Sequence, residues 1–196
     1  IKPCDIVIPD QFIDRTQQRP LTFFTNGVVA HISMANPFCE ILSHILSEET
    51  EKLLNKEKKL HIGGTYLAME GPAFSTRAES NLYRNWGCSI IGMTNHTEAR
   101  LAKEAEIAYS SLSMVTDYDC WNQNCESVSV EMVIKNLQEN ANFAKLIISA
   151  AAKRISTSRP SSTSHDSLKY SLVTPKEHVP DKIKSKINLF TKKYWH

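Results

Sequence analysis

Glu70-Gly71-Pro72-Ala73-Phe74-Ser75-Thr76-Arg77, Gly92-Met93-Thr94-Asn95 and Thr116-Asp117-Tyr118-Asp119-Cys120-Trp121 stand at the ends of three apolar, β-rich runs, Thr65 to Met69, Cys88 to Met93 and Ile107 to Val115. Between the runs lie two helical patterns, Thr76 to Trp86 and Thr97 to Glu106. The unit therefore reads strand-helix-strand-helix-strand with short connections, an α/β arrangement. Right-handed crossovers would bring the three strand ends to one edge of a sheet, where such proteins place their chemistry.

That edge offers an aromatic ring, Phe74, beside the hydroxyl of Ser75. It adds the pair Met93 and Thr94, and two carboxylates, Asp117 and Asp119. Together they suit a flat heterocycle with polar edges. Two carboxylates at i and i+2 are commonly no more than solvated charge at a strand end. Asp117, however, follows Ser113-Met114-Val115-Thr116 directly, on a strand expected to be covered on both faces. A carboxylate at such a place needs a partner or a function.

The order and spacing of Gly64-Thr65, Glu70-Gly71-Pro72-x-Phe74-Ser75-x-Arg77-Ala78-Glu79-Ser80, Trp86-Gly87, Gly92-Met93-Thr94 and Thr116-Asp117-Tyr118-Asp119-Cys120-Trp121 resemble the 5′-methylthioadenosine phosphorylases of the purine nucleoside phosphorylase family. The resemblance extends upstream through Asp10-Gln11-Phe12-Ile13-Asp14-Arg15-Thr16 and His31-Ile32-x-Met34-Ala35-x-Pro37-Phe38-Cys39, and downstream to about residue 150. It implies a three-layer α/β fold: a twisted mixed sheet with helices on both faces. Residues 1–150 would be the C-terminal portion of a nucleoside phosphorylase domain, and 151–196 a basic, partly low-complexity tail.

The implied reaction is phosphorolysis of 5′-methylthioadenosine, with inorganic phosphate as co-substrate and no metal or organic cofactor. Asp117 would then protonate N7 of the leaving adenine, its carboxyl pKa raised by apolar surroundings, and Asp119 would support the same edge of the base. Phe74 would stack on the purine and Ser75 would face its pyrimidine edge. Met93 would pack beneath the ribose, while Thr94 would contact phosphate. His31, Val130, Val133 and Ile134 would line the 5′ side of the sugar pocket, the last three as an apolar socket for the methylthio group. Related 6-oxopurine phosphorylases carry Glu in place of Ser75 and Asn-Lys-Val in place of Asp117-Tyr118-Asp119, so these departures point to adenine. A purine nucleoside phosphorylase of other specificity, methylthioinosine included, and an inactive truncated product are the alternatives. The resemblance also implies a homotrimer in the full-length form.

Composition agrees with a globular chain: 196 residues, 41% hydrophobic and 22% charged, enough to bury a core. The chain shows neither an apolar run of membrane-spanning length nor a secretory leader, and is expected in the cytoplasm. Five cysteines, Cys4, Cys39, Cys88, Cys120 and Cys125, form no CxxC pair and are expected as free thiols. The chain opens directly into the strand pattern Asp5-Ile6-Val7-Ile8, whereas the family has a long preceding segment that supplies most of the phosphate site. It is therefore expected to be a fragment. Gly63-Gly64-Thr65 is not the family's phosphate loop, because it is read as entering a strand from a helix.

Ile41, Leu42, Ile45, Leu46, Leu53 and Leu54 predict a covering helix ended by Gly63-Gly64. His96 reads as a surface loop residue. Ser129 is expected to cap a helix in which Leu137, Ala141, Ala144 and Ile148 face the core. Residues 151–196 carry ten Lys or Arg against three acids. Ser156 to Ser164 reads as an unpacked linker and Lys182 to Lys193 as a short basic helix. The positive charge is expected to be solvated surface rather than a membrane or nucleic-acid contact.

Overall fold

The computed structural model describes residues 1–122 and 130–195; the side chains of residues 130–133 fall outside the description. The chain is α/β, with parallel and antiparallel strand pairs. Its centre is two strand paths lying side by side. One consists of β1 (Ile6–Ile8) and β2 (Gln11–Arg15), the other of β3 (Leu60–Ile62) and β4 (Thr65–Met69); β1 pairs parallel with β3, and β2 with β4. Both paths break at the same level. Gly63 and Gly64 have φ of +83° and +104°, a region open to glycine. The Asp10 carboxylate accepts from the Gly64 N–H at 2.9 Å across the break. The glycine pair therefore joins strand to strand; it neither ends the preceding helix nor follows it, as its sequence position had suggested.

Helix α1 (Glu40–Leu53) ends earlier, at Leu54, whose backbone is already extended. It contacts β1 and β3. Ile6, Val7 and Ile8 are essentially without solvent contact, as expected of a parallel strand covered on both faces. Beyond β4 lies β5 (Cys88–Gly92), also parallel. Helices α2 (Arg77–Asn85) and α3 (His96–Glu104) connect as predicted. α2 begins with a reciprocal cap: the Glu79 N–H donates to the Thr76 hydroxyl at 3.2 Å, and the Thr76 N–H donates back to the Glu79 carboxylate at 2.7 Å.

The third expected strand is mostly absent. Of Ile107 to Val115 only β6 (Ser113–Met114) is strand, and it runs antiparallel to β1, outside the β2-β4-β5 sheet. The preceding residues bond elsewhere. The Tyr109 carbonyl accepts from the Cys39 N–H at 2.7 Å, and the Ser110 hydroxyl meets that of Ser43 at 2.8 Å. The Tyr109 carbonyl and the Ser110 hydroxyl are thus engaged at the start of α1 and not by a neighbouring strand.

Helix α4 (Val130–Ser158) inverts the expected facing. Asn140, Ile147 and Ala151 are buried, whereas Ile134, Leu137 and Ile148 are 52%, 57% and 55% exposed. The polar Asn140 lies on the inner face, where its Nδ2 donates to the Val115 carbonyl at 2.8 Å. The expected cap Ser129 lies outside the described residues.

The helix continues through Ser156, Thr157 and Ser158, whose hydroxyls bond back to carbonyls three or four residues earlier. The supposed linker is thus partly helical. Its remainder is anchored, with Ser162 3.3 Å from the Cys39 thiol and Ser164 buried. After α5 (Asp181–Thr191), Tyr194 and Lys193 converge on Glu106. Leu168, Val179 and Ile187 form one apolar core with Phe24 and Val28. Among the described residues no helix is long and apolar enough to cross a membrane.

Candidate active site

Strand β4 delivers Glu70, and that carboxylate closes a knot. It accepts from the N–H groups of Gln17 and Gln18 and from Arg19 Nε, the last at 2.9 Å. The backbone donors, Gln17 first, and then the Arg19 guanidinium pull its pKa down to about 2. Glu70 is thus a structural acid that fixes the start of the 70–76 loop against the segment after β2. Within that loop Phe74 is 87% exposed, and the Ser75 hydroxyl donates to Met69 Sδ at 3.4 Å.

Met93, just past β5, packs on the same loop. A β-carbon on Gly71, whose φ is +76°, would come within 2.8 Å of its sulfur. Thr94 is exposed, its Oγ1 3.5 Å from the buried Tyr66 hydroxyl. Gly92 leaves room for that tyrosine, since a β-carbon there would stand 1.9 Å from Tyr66 Oη.

The third segment arrives through side chains rather than through a shared strand direction. The Cys120 thiol donates to the Ser75 carbonyl at 3.5 Å, and the Arg84 guanidinium lies 3.9 Å from the Trp121 ring centre. Ser80 on α2 donates to one oxygen of Asp119; the other accepts from the Cys120 N–H at 2.7 Å. From the far side α4 supports the segment, with Asn136 Nδ2 donating to the Thr116 carbonyl at 3.0 Å. Asp117 itself is exposed, and its recorded bond is from the neighbouring Thr116 hydroxyl. The apolar enclosure expected around this carboxylate is not supplied by the described residues.

The structure therefore brings Phe74, Ser75, Met93, Asp119 and the Asp117 segment together, with Thr94 next to Met93. His31 is not joined to them by any hydrogen bond, ion pair or ring contact among the described residues. Its N–H donates to the Ser171 carbonyl at 2.7 Å, which ties it to the C-terminal segment. Ile134 is exposed on α4, and the side chains of Val130 and Val133 lie outside the described residues.

His96 requires correction. It is fully buried as the first residue of α3, with Nε2 3.0 Å from the Asp14 carboxylate and its ring edge-on to Phe12. The helical spacing of His96 and the buried Ala99 is the sequence signal for this burial, and the polar neighbours Thr94 and Asn95 mask it. Nothing local in the sequence marks the roles of Tyr66, Ser80 and Arg84, because their side chains act across the fold. Cys4, Cys39, Cys88 and Cys120 are free; Cys125 lies outside the described residues.

Comparisons with known proteins bear on this site. Residues 1–153 match the phosphorylase superfamily. The S-methyl-5′-thioadenosine phosphorylase of Prochlorococcus marinus is 63% identical over 195 residues, covering 100% of this chain and 62% of that protein. The protein of the same name from Geobacter sulfurreducens is 48% identical, covering 99% of this chain and 67% of that one. Both similarities run on through the C-terminal segment.

Among solved structures, a methylthioadenosine phosphorylase from an antarctic soil metagenomic library superposes with a TM-score of 0.91 at 46% identity, over 96% of this chain and 66% of that one. The methylthioadenosine phosphorylase from Schistosoma mansoni in complex with adenine superposes at 0.72 and 29% identity, over 97% and 66%. The chain thus spans about two thirds of the length of the relatives it matches. On the match across residues 1–153 and these identities, the chain belongs to the phosphorylase superfamily.

Proposed function

We propose that the protein to which this chain belongs phosphorolyses 5′-methylthioadenosine. In this reaction a phosphate oxygen bonds to the anomeric carbon as the bond from that carbon to adenine N9 breaks. Adenine leaves with a proton delivered at N7, and methylthioribose 1-phosphate is the other product. The observation that supports the reading best is the convergence of three segments. Cys120 meets Ser75, Met93 meets Gly71, and an exposed aromatic face at Phe74 lies in the same loop as Ser75. The names of the similar proteins point the same way.

In this reading Phe74 stacks on the purine, Ser75 faces its edge, and Asp117 donates to N7 while accepting from the exocyclic amine. The stacked base itself would cover Asp117 from water. Asp119, held by Ser80 and the Cys120 N–H, keeps the carboxylate segment at the base. Met93 lies under the ribose and Thr94 reaches phosphate. His31, Val130, Val133 and Ile134 take the methylthio end. Assembly as a homotrimer in the cytoplasm belongs to the same proposal, supported by the exposed Leu146 and Ile148 of α4 and the free thiols among the described residues.

The test is release of adenine from methylthioadenosine by the native protein, with and without inorganic phosphate. Phosphate-dependent release is the expected result. Release that ignores phosphate, or no release at all, overturns the proposal.

A further inference from the structure

The turn Met93-Thr94-Asn95 is held in a conformation its own residues do not favour. Asn95 has φ +87° and ψ −51°, a strained backbone for a residue with a side chain. Such a conformation persists only where the surroundings over-determine it, and here buried groups from several elements do so. The Asn95 Oδ1 accepts from the Tyr109 hydroxyl at 2.9 Å. The Tyr66 hydroxyl stands 3.5 Å from both the N–H and the Oγ1 of Thr94. The next residue, His96, has no solvent contact and places Nε2 3.0 Å from Asp14 Oδ2 on β2.

Asp14 is committed at both oxygens. Its Oδ1 accepts from the Thr16 N–H at 2.8 Å and from the Thr16 hydroxyl at 2.7 Å. Its Oδ2 faces His96 and, at 3.9 Å, Arg100 one turn further along α3. The carboxylate thus clamps the end of β2 to the first turn of α3. An apolar side chain at position 96 could fill the same space, but it would add no directed bond. Burial favours the neutral imidazole, against the pull of Asp14. A neutral ring with hydrogen on Nε2 is the form that donates to a carboxylate.

We propose that the buried Asp14–His96 pair is a positioning device that locks the 93–95 turn and thereby sets the Thr94 hydroxyl toward the phosphate co-substrate. The inference rests on the phosphorolysis reading for the identity of the anion. Neither residue is a catalytic residue in this account; both act through Thr94.

The experiment is steady-state kinetics of the native protein carrying His96→Ala, His96→Gln or Asp14→Asn, varying phosphate and methylthioadenosine separately. His96→Ala and Asp14→Asn are expected to raise the KM for phosphate about tenfold while the nucleoside KM moves less than about twofold. His96→Gln, which keeps an N–H donor, recovers most of the loss. Equal changes in both KM values, or a fall in kcat with both unchanged, overturn the proposal by marking the pair as mere packing. If His96→Ala fails to fold, the other two variants decide: an unaltered phosphate KM in Asp14→Asn overturns it. If the unmutated protein releases no adenine, the functional reading fails by itself. The melting-temperature rise on adding inorganic phosphate then decides the inference, which stands if His96→Ala abolishes a rise seen in the unmutated protein and falls otherwise.

Discussion

Ser80, fully buried on α2, donates its hydroxyl to the carboxylate of Asp119, joining the first helix after the 70–76 loop to the segment that carries Asp117. A hydroxyl bonded to a charged group contributes more than a neutral pair, and its removal leaves a partly buried carboxylate short of a donor. Ser80→Ala should destabilise the chain by about 1–3 kcal/mol in urea denaturation. It should also lower kcat/KM for methylthioadenosine in the native protein. Unchanged stability would show that water replaces the hydroxyl.

Asp117→Asn removes the proton carried to the base and reverses part of its hydrogen-bonding pattern. Turnover of methylthioadenosine should fall at least about tenfold, and the relative preference for 6-oxopurine nucleosides should rise. Competition kinetics with the two nucleosides reads the ratio. A constant ratio would remove Asp117 from base recognition.

The facing of α4 can be checked by two truncations in the chain. Ile147 is fully buried, so Ile147→Ala should cost about 2–5 kcal/mol. Leu137 is more than half exposed, so Leu137→Ala should change the unfolding free energy by less than about 0.5 kcal/mol. Urea denaturation of both variants measures the contrast, and equal costs would reverse the assigned facing.

Glu70 predicts a pH dependence with a definite sign. Its pKa in the folded chain is about 2, below its ordinary 4.5, because Gln17, Gln18 and Arg19 bond to the ionised form. The stability it contributes is therefore fully present above pH 4.5 and is lost as pH falls toward 2. Glu70→Gln should lower the melting temperature at neutral pH, and the gap to the unmutated chain should narrow through that acid window. A gap independent of pH would mean that the knot acts through shape alone.

Gly92 is a packing requirement. A methyl group there would fall 1.9 Å from the Tyr66 hydroxyl, deep in the β4–β5 pair. Gly92→Ala should destabilise by about 1–3 kcal/mol, the usual range for overpacking. Adding Tyr66→Phe should recover part of this, since the ring carbon that bore the hydroxyl would still be only 2.7 Å away. Chemical denaturation of the single and double variants measures both effects.

The sequence by itself determined the elements whose signals are local. The run from Thr65 to Met69, the Cys88 run, the helices after Thr76 and before Glu104, and the basic helix near Lys182 all appear where periodicity predicts them. The loops that follow two of these strands were legible too, because polar and glycine-containing residues at strand ends mark themselves.

Only the tertiary structure decided what each element meets. Ile107 to Leu112 has strand-like composition, but its Ile107 N–H donates to the Ala102 carbonyl of α3, its Tyr109 carbonyl accepts from the Cys39 N–H before α1, its Ser110 hydroxyl meets that of Ser43, and the strand β6 is only two residues long. The stripe from Ile134 to Ile148 looks like a core face, yet the helix turns Asn140 and Ile147 inward, with Asn140 bonded to a carbonyl more than twenty residues away. His96 reads as a loop residue until Asp14, eighty-two positions earlier, is placed against it. In these cases the placement goes with partners distant in sequence, invisible to local pattern, and a buried polar group left without any partner is costly.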